Sequence, residues 1–217
     1  MQVKASAEQS NMTSEPQKPV LGDTYPKPPE LLHDGNLTLR RWKIADAPAL
    51  HAAAEASLTE LKAWMPWAKN GYTLDDAKAF ITMTSPEWDA GKVYNYAVVV
   101  DNEIIGSFGL MDPVLGNTGM GMGYWLATPA TGKGLATRAA GLLTRTAFDL
   151  GAELVQIWHH VDNGRSKAVP RRLGYRFLGE QLSPKVNEEG PHGFWQLDRD
   201  AGKRLDAEKP LDTEESH

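Results

Sequence analysis

The sequence contains no cysteine. Disulfides, zinc–thiolate sites and a thiol nucleophile are therefore excluded, which fits a cytoplasmic protein. No apolar run approaches the ~20 residues needed to span a bilayer. The first residues carry no apolar stretch of the secretory kind, so no membrane partner and no export signal are expected. The six histidines are scattered. None forms an i, i+4 pair on a predicted helix, so no protein-built metal site is expected. Positive charge is also scarce: Lys and Arg number 23 against 28 Asp and Glu, a formal net charge of −5. A surface of that sign does not attract a nucleic-acid backbone.

What is present suffices for a folded domain. The 217 residues are 41% hydrophobic, enough to bury a core and about one domain with an extension. Residues 1–35 hold five of the 14 prolines and few aliphatics. Such a segment cannot bury enough apolar surface to offset its ordering entropy, so it is predicted to be a disordered N-terminal tail. Residues 203–217 are highly charged and are predicted to be a flexible C-terminal tail. The domain is then 36–202.

Within it, Leu37-Thr38-Leu39-Arg40-Arg41-Trp42 alternates as a strand does. Asp46 is a candidate cap for a helix over 47–57, with Pro48 tolerated in its first turn. Thr73 and Asp76 have capping-box spacing at the start of a helix carrying Ala77, Phe80 and Ile81 on one face. Strands are predicted over 94–100 and 103–111, joined by the turn pair Asp101-Asn102, and over 119–127. Residues 132–150 form the clearest helix, stopped by Gly151. A buried-type strand over 154–160, a short helix over 164–173 and two closing strands follow. This order implies an α/β (α+β) domain with a mixed central sheet of about seven strands flanked by helices.

The strongest chemical signal is Thr131-Gly132-Lys133-Gly134-Leu135-Ala136-Thr137, between a predicted strand and the long helix. Glycines allow close backbone approach, and helix N-terminal N–H groups point at whatever sits there, which makes a phosphate cradle. It is not a Walker A loop, because Gly134 rather than Ser or Thr follows Lys133. It is not a dinucleotide fingerprint either, because the last glycine position is Thr137.

Three motifs together resemble the GNAT acetyltransferases, specifically the RimJ/RimL-type branch. Gly123-Tyr124-Trp125-Leu126 leads into the glycine loop. Asp162-Asn163-x-x-Ser166-x-x-Val169 precedes Leu173-Gly174-Tyr175. Trp64-Met65-Pro66-Trp67 stands ahead of the capped helix. The resemblance implies a GNAT fold, with the sheet splayed between its fourth and fifth strands around acetyl-CoA as co-substrate. It places the pyrophosphate on Thr131, Gly132, Lys133, Gly134, Leu135 and Ala136. The pantetheine would run along Leu126 and Ala127, with Asn163 hydrogen-bonding to it. The branch usually has Gln or Arg where Thr131 stands, which weakens that contact.

The implied chemistry is direct attack of a primary amine on the thioester in a ternary complex. Many GNAT enzymes carry a tyrosine acid seven residues after the asparagine; here that position is Pro170, which also cannot donate to the Ser166 carbonyl. In the RimL-type pattern the serine three residues after the asparagine takes the role, so Ser166 is the catalytic candidate. No carboxylate base can be carried over, because the corresponding stretch reads Tyr94-Asn95-Tyr96. His159 and His160 could serve through water, or simply pack at a strand end. Trp64, Trp67 and Tyr94 are candidate walls of the acceptor pocket. The expected acceptor is a protein N-terminal α-amine of the ribosomal-protein type. The alternatives are a small-molecule amine (amino acid, polyamine or antibiotic) and a module that binds acyl-CoA without turnover. A homodimer is an open option.

Overall fold

A computed structural model describes residues 21–112, 119–183 and 189–202; the expectations for 1–20 and 203–217 lie outside the described residues. In chain order the elements are α1 (Leu21–Thr24), β1 (Leu31–Asp34), β2 (Leu37–Arg41), α2 (Ala47–Glu55), α3 (Leu58–Leu61), α4 (Leu74–Asp89), β3 (Tyr94–Val100), β4 (Glu103–Met111), β5 (Met120–Leu126), α5 (Leu135–Asp149), β6 (Leu154–His160), α6 (Gly164–Arg172), β7 (Arg176–Leu182) and β8 (Pro191–Asp198). The described strands form one sheet of eight, ordered β1-β2-β3-β4-β5-β6-β8-β7. Only the β5–β6 pair is parallel.

The eighth strand is β1, and it corrects the predicted tail boundary. Residues 31–34 pair with 37–40 of β2. Leu21 is fully buried, the Tyr25 hydroxyl accepts from the Gly119 amide at 2.8 Å, and the Pro29 carbonyl accepts from the Tyr96 hydroxyl at 2.8 Å. The composition argument failed here because this segment builds no core of its own. Its few apolar groups dock onto one that the rest of the chain has already formed.

The sheet is covered on both faces. Leu135, Ala139, Ala140, Leu143 and Ala147 of α5 pack on Tyr94, Tyr96, Val98, Phe108, Leu110, Met120 and Met122. On the other face Ala47 and Leu50 of α2 and Ala77 and Ile81 of α4 pack with Trp42 on Ala97. The alanines let α5 approach the sheet closely. Each buried leucine adds roughly 1.5–3 kcal/mol.

The capping predictions divide. Thr73 Oγ1 accepts from the Asp76 amide at 3.1 Å, and Asp76 Oδ2 accepts from the Thr73 amide at 2.8 Å, a complete box at the start of α4. Asp46 makes no side-chain cap on α2. Its carboxylate turns back to the Lys43 amide and to a two-pronged pair with Arg40 at 2.6 and 2.8 Å. With both oxygens held by the Arg40 guanidinium and one also by the Lys43 amide, the carboxylate faces away from the α2 amides.

Candidate active site

β5 and β6 pair over only three residues each, Met120–Met122 against Val155–Ile157. Beyond that point β5 stays on β4 through Leu126, and β6 stays on β8 through His160. The two parallel strands therefore part, and a cleft of about 270 Å³ opens where they separate. It is walled by Trp64–Trp67, by Asn95, Ser107 and Gly109 of the β3–β4 hairpin, and by Gly123, Tyr124 and Trp125 of β5. Trp158–His160, Asn163, Ser166 and His192 close the other side. Among these described lining residues none carries a carboxylate or a permanent positive charge.

At one end, the glycine loop turns into α5 through two left-handed residues, Gly132 (φ +77°) and Gly134 (φ +76°), a conformation that suits glycine. The Arg138 amide donates to the Gly134 carbonyl at 3.0 Å. The amides of Leu135–Thr137 precede that bond and have no partner inside the helix. They and the dipole of a 15-residue helix make a site that fits a pyrophosphate. Lys133 is exposed at the tip. Thr131 turns its hydroxyl to the Thr128 carbonyl at 2.8 Å. The Ala127 amide is donated to the Ile105 carbonyl at 2.7 Å. What Ala127 and its neighbour Leu126 offer a pantetheine arm is therefore apolar surface and carbonyl edges rather than the Ala127 N–H.

At the other side Asn163 caps α6, its Oδ1 accepting from the Ser166 amide at 3.0 Å. That leaves its amide NH2 as the donor it can turn to the cleft. The Ser166 hydroxyl donates to the Tyr124 phenol oxygen at 3.1 Å, and the Tyr124 hydroxyl donates to the Ser166 carbonyl at 3.1 Å. Tyr124 is stacked on Phe108 with ring centroids 4.7 Å apart. Burial raises its pKa far above the ordinary phenol value, although the Ser166 hydrogen bond pulls the other way. It stays a neutral donor across the physiological range.

The histidines separate by their partners. His159 Nε2 accepts from the Trp195 indole N–H at 2.9 Å, so Nδ1 carries the proton and donates to the His160 carbonyl at 2.8 Å. Burial lowers its pKa, although the hydrogen bond to the His160 carbonyl pulls the other way. With both ring nitrogens committed, His159 is not a base. His160 is partly exposed, its ring 5.6 Å from that of Trp64 and its Nδ1 accepting from the Asp162 amide at 3.2 Å. His192 donates Nδ1–H to the Gly190 carbonyl at 3.1 Å, which makes Nε2 the acceptor nitrogen of the neutral ring.

Trp64 and Trp67 both stand at the cleft and are 36% and 39% exposed. Trp67 packs against Tyr72 and Trp125 at 4.9 and 5.6 Å. Tyr94 is a correction: it is fully buried in the core beneath α5, with its ring edge-on to Trp88 at 5.1 Å. Strand alternation is the reason. Tyr94, Tyr96 and Val98 share the α5 face, while Asn95 points to the other face and lines the cleft. Sequence reasoning misses Asn95, Trp158 and His192 as cleft residues, and takes Tyr124 and Trp125 only as part of a motif. The parity of β3 could have found Asn95. The others depend on where two strands separate, which no local pattern records.

A profile of the acetyltransferase (GNAT) domain matches residues 36–176. The chain belongs to the GNAT acetyltransferase family. As a GNAT enzyme it is an acetyl-CoA-dependent N-acetyltransferase. Among curated proteins it resembles YdaF of Bacillus subtilis strain 168, which is named for ribosomal N-acetyltransferase activity. The two are 28% identical over 151 residues, 64% of this chain and 78% of that one. Solved structures that share the fold include two with bound coenzyme. RimL, a ribosomal L7/L12 α-N-protein acetyltransferase with coenzyme A, has a TM-score of 0.71 at 20% identity, covering 79% of this chain and 99% of that one. The microcin C7 self-immunity acetyltransferase MccE, with acetyl-CoA and AMP, has a TM-score of 0.69 at 20% identity, covering 76% and 93%. Among the described residues no helix is long and apolar enough to cross a membrane.

Proposed function

We propose that this enzyme acetylates the N-terminal α-amine of a protein, of the ribosomal-protein type, in the cytoplasm. The observation that carries this reading is the absence of any carboxylate among the described residues lining the cleft. An amine must lose a proton to attack. A lysine or polyamine amine, with a pKa of about 10.4, needs a strong base or a stabilising anion to be delivered and deprotonated. An α-amine, near pKa 7.7–8.0, is partly neutral at physiological pH and needs neither. Water in the cleft suffices to take the proton. The names of YdaF and RimL point the same way.

Acetyl-CoA supplies the activated acetyl group as a thioester. The amides of Leu135–Thr137 hold its pyrophosphate, and the parted strands admit the pantetheine arm. Ser166 donates a hydrogen bond to the sulfur as the carbon–sulfur bond breaks and the amide bond forms. A thiol of pKa about 8.5 leaves readily, so a weak donor is enough. The indoles of Trp64 and Trp67 flank the open mouth through which a chain end enters.

A second reading is a small-molecule amine attached to a planar group, favoured by those two part-exposed indoles and by the AMP seen in MccE. One panel separates the two: free N-terminal peptides, the same peptides with blocked N-termini but free lysines, and aromatic and aliphatic small amines. Thiol release and mass spectrometry of the products should show turnover of the free N-termini alone. Turnover confined to the small amines would overturn the protein reading.

A further inference from the structure

A proline at position 170 removes the amide that an α-helix would direct at the carbonyl four residues earlier, that of Ser166. Pro170 lies inside α6 and is buried, and the Ser166 carbonyl takes its donor from elsewhere. The Tyr124 hydroxyl, from a strand on the far side of the cleft, donates to that same carbonyl at 3.1 Å. Its oxygen then accepts the Ser166 hydroxyl proton at 3.1 Å. One phenol therefore meets both polar groups of one serine. A serine in the first turn of a helix otherwise tends to fold its hydroxyl back onto nearby backbone. Here the hydroxyl is drawn off the helix toward β5, and Ser166 lines the cleft.

We propose that Tyr124 is the positioning residue for Ser166: it substitutes for the donor that Pro170 removes and holds the Ser166 hydroxyl where the coenzyme A sulfur departs. This rests on the reading of Ser166 as the sulfur donor: the single hydroxyl proton rests on the Tyr124 oxygen and turns to the sulfur as it departs, and the Tyr124 O–H then turns from the Ser166 carbonyl to the Ser166 oxygen. Tyr124 does not itself give up its proton, because burial strongly disfavours the phenolate. It acts by fixing the serine rotamer and by bridging α6 to β5 across the parted strands, the two walls that must keep their spacing around the thioester. Neither Tyr124 nor the Tyr124–Pro170 relation lies within the serine motif itself.

The test uses the full chain and four variants. Tyr124→Phe removes one oxygen and keeps the ring stacked on Phe108. It should lower kcat about tenfold with little change in the KM for acetyl-CoA, and lower Tm by about 3–8 °C because the Ser166 carbonyl is orphaned. Tyr124→Phe with Pro170→Ala returns an amide to that carbonyl. The double variant should regain Tm while kcat stays low, because the hydroxyl still lacks its partner. If kcat recovers with Tm to within about twofold of wild type, Tyr124 only supports the backbone and the proposal is wrong. Ser166→Ala, alone and with Tyr124→Phe, separates the two ideas. If Ser166→Ala is slow and Tyr124→Phe slows it no further, Tyr124 acts through Ser166. If Ser166→Ala alone runs at the wild-type kcat, the reading of Ser166 falls, and with it the positioning role. If Ser166→Ala is slow but Tyr124→Phe runs at the wild-type kcat, only the Tyr124 proposal falls.

Discussion

The indole N–H of Trp195 on β8 donates to Nε2 of His159 on the neighbouring strand β6, at 2.9 Å. Both side chains are buried. The bond fixes the imidazole as the neutral Nδ1–H tautomer, and a proton added at Nε2 would break it.

A pH dependence of stability results. Burial lowers the His159 pKa below its ordinary value of 6.5. The unfolded chain therefore binds this proton more readily than the folded one. The stabilisation is complete above pH 6.5 and is lost as the pH falls through the lowered folded value. Thermal melts of wild type and His159→Gln from pH 7.5 to 5 should converge as the pH drops. A constant gap between the two curves would mean that His159 does not titrate with folding.

Gly134→Val tests the cradle. A Cβ at Gly134 meets nothing within 4 Å, so the penalty is conformational, from φ +76°. An L-residue there costs about 1–2 kcal/mol, and a β-branched one more. The relaxed loop turns the first amides of α5 away from the pyrophosphate. Calorimetry should show acetyl-CoA binding weakened about tenfold or more, with the circular dichroism spectrum retained. Unchanged affinity would place the pyrophosphate elsewhere.

Ser166→Ala leaves the Asn163 cap in place, because that bond uses the Ser166 amide. The helix should survive, since alanine favours it. kcat and kcat/KM should fall together by about 10²-fold, the low end for positioned proton donation, with the KM for acetyl-CoA steady. A rise in KM alone would make Ser166 a binding group instead.

The start of the domain is testable by truncation. A chain beginning at Asn36 loses β1, the buried Leu21 and the bonds from Asp34 to Arg138. That amounts to roughly 3 kcal/mol or more, a drop of about 6–12 °C in Tm. A chain beginning at Val20 keeps every one of these contacts and should melt with the full-length protein. Equal melting of the two truncations would show that residues 21–35 contribute nothing.

Local rules determined a good deal of this molecule. The glycine loop, the long helix behind it, the Thr73–Asp76 box and the succession of strands from β2 to β8 along the chain were legible because each depends on neighbours in sequence: capping spacing, 3.6-residue or two-residue periodicity, glycine at a turn. The motifs around Gly123–Leu126, Asn163 and Ser166 carried the family for the same reason. The tertiary structure decided the rest. It put Asn95 rather than Tyr94 at the cleft, because a one-residue shift in parity reverses the face of a strand. It recruited β1 from a proline-rich segment, because a sheet edge supplies the hydrogen-bond partners that composition cannot count. It also brought Tyr124 to Ser166 across 42 residues of chain, since the distance between them is set by where β5 and β6 stop pairing, a property of the sheet and not of either segment.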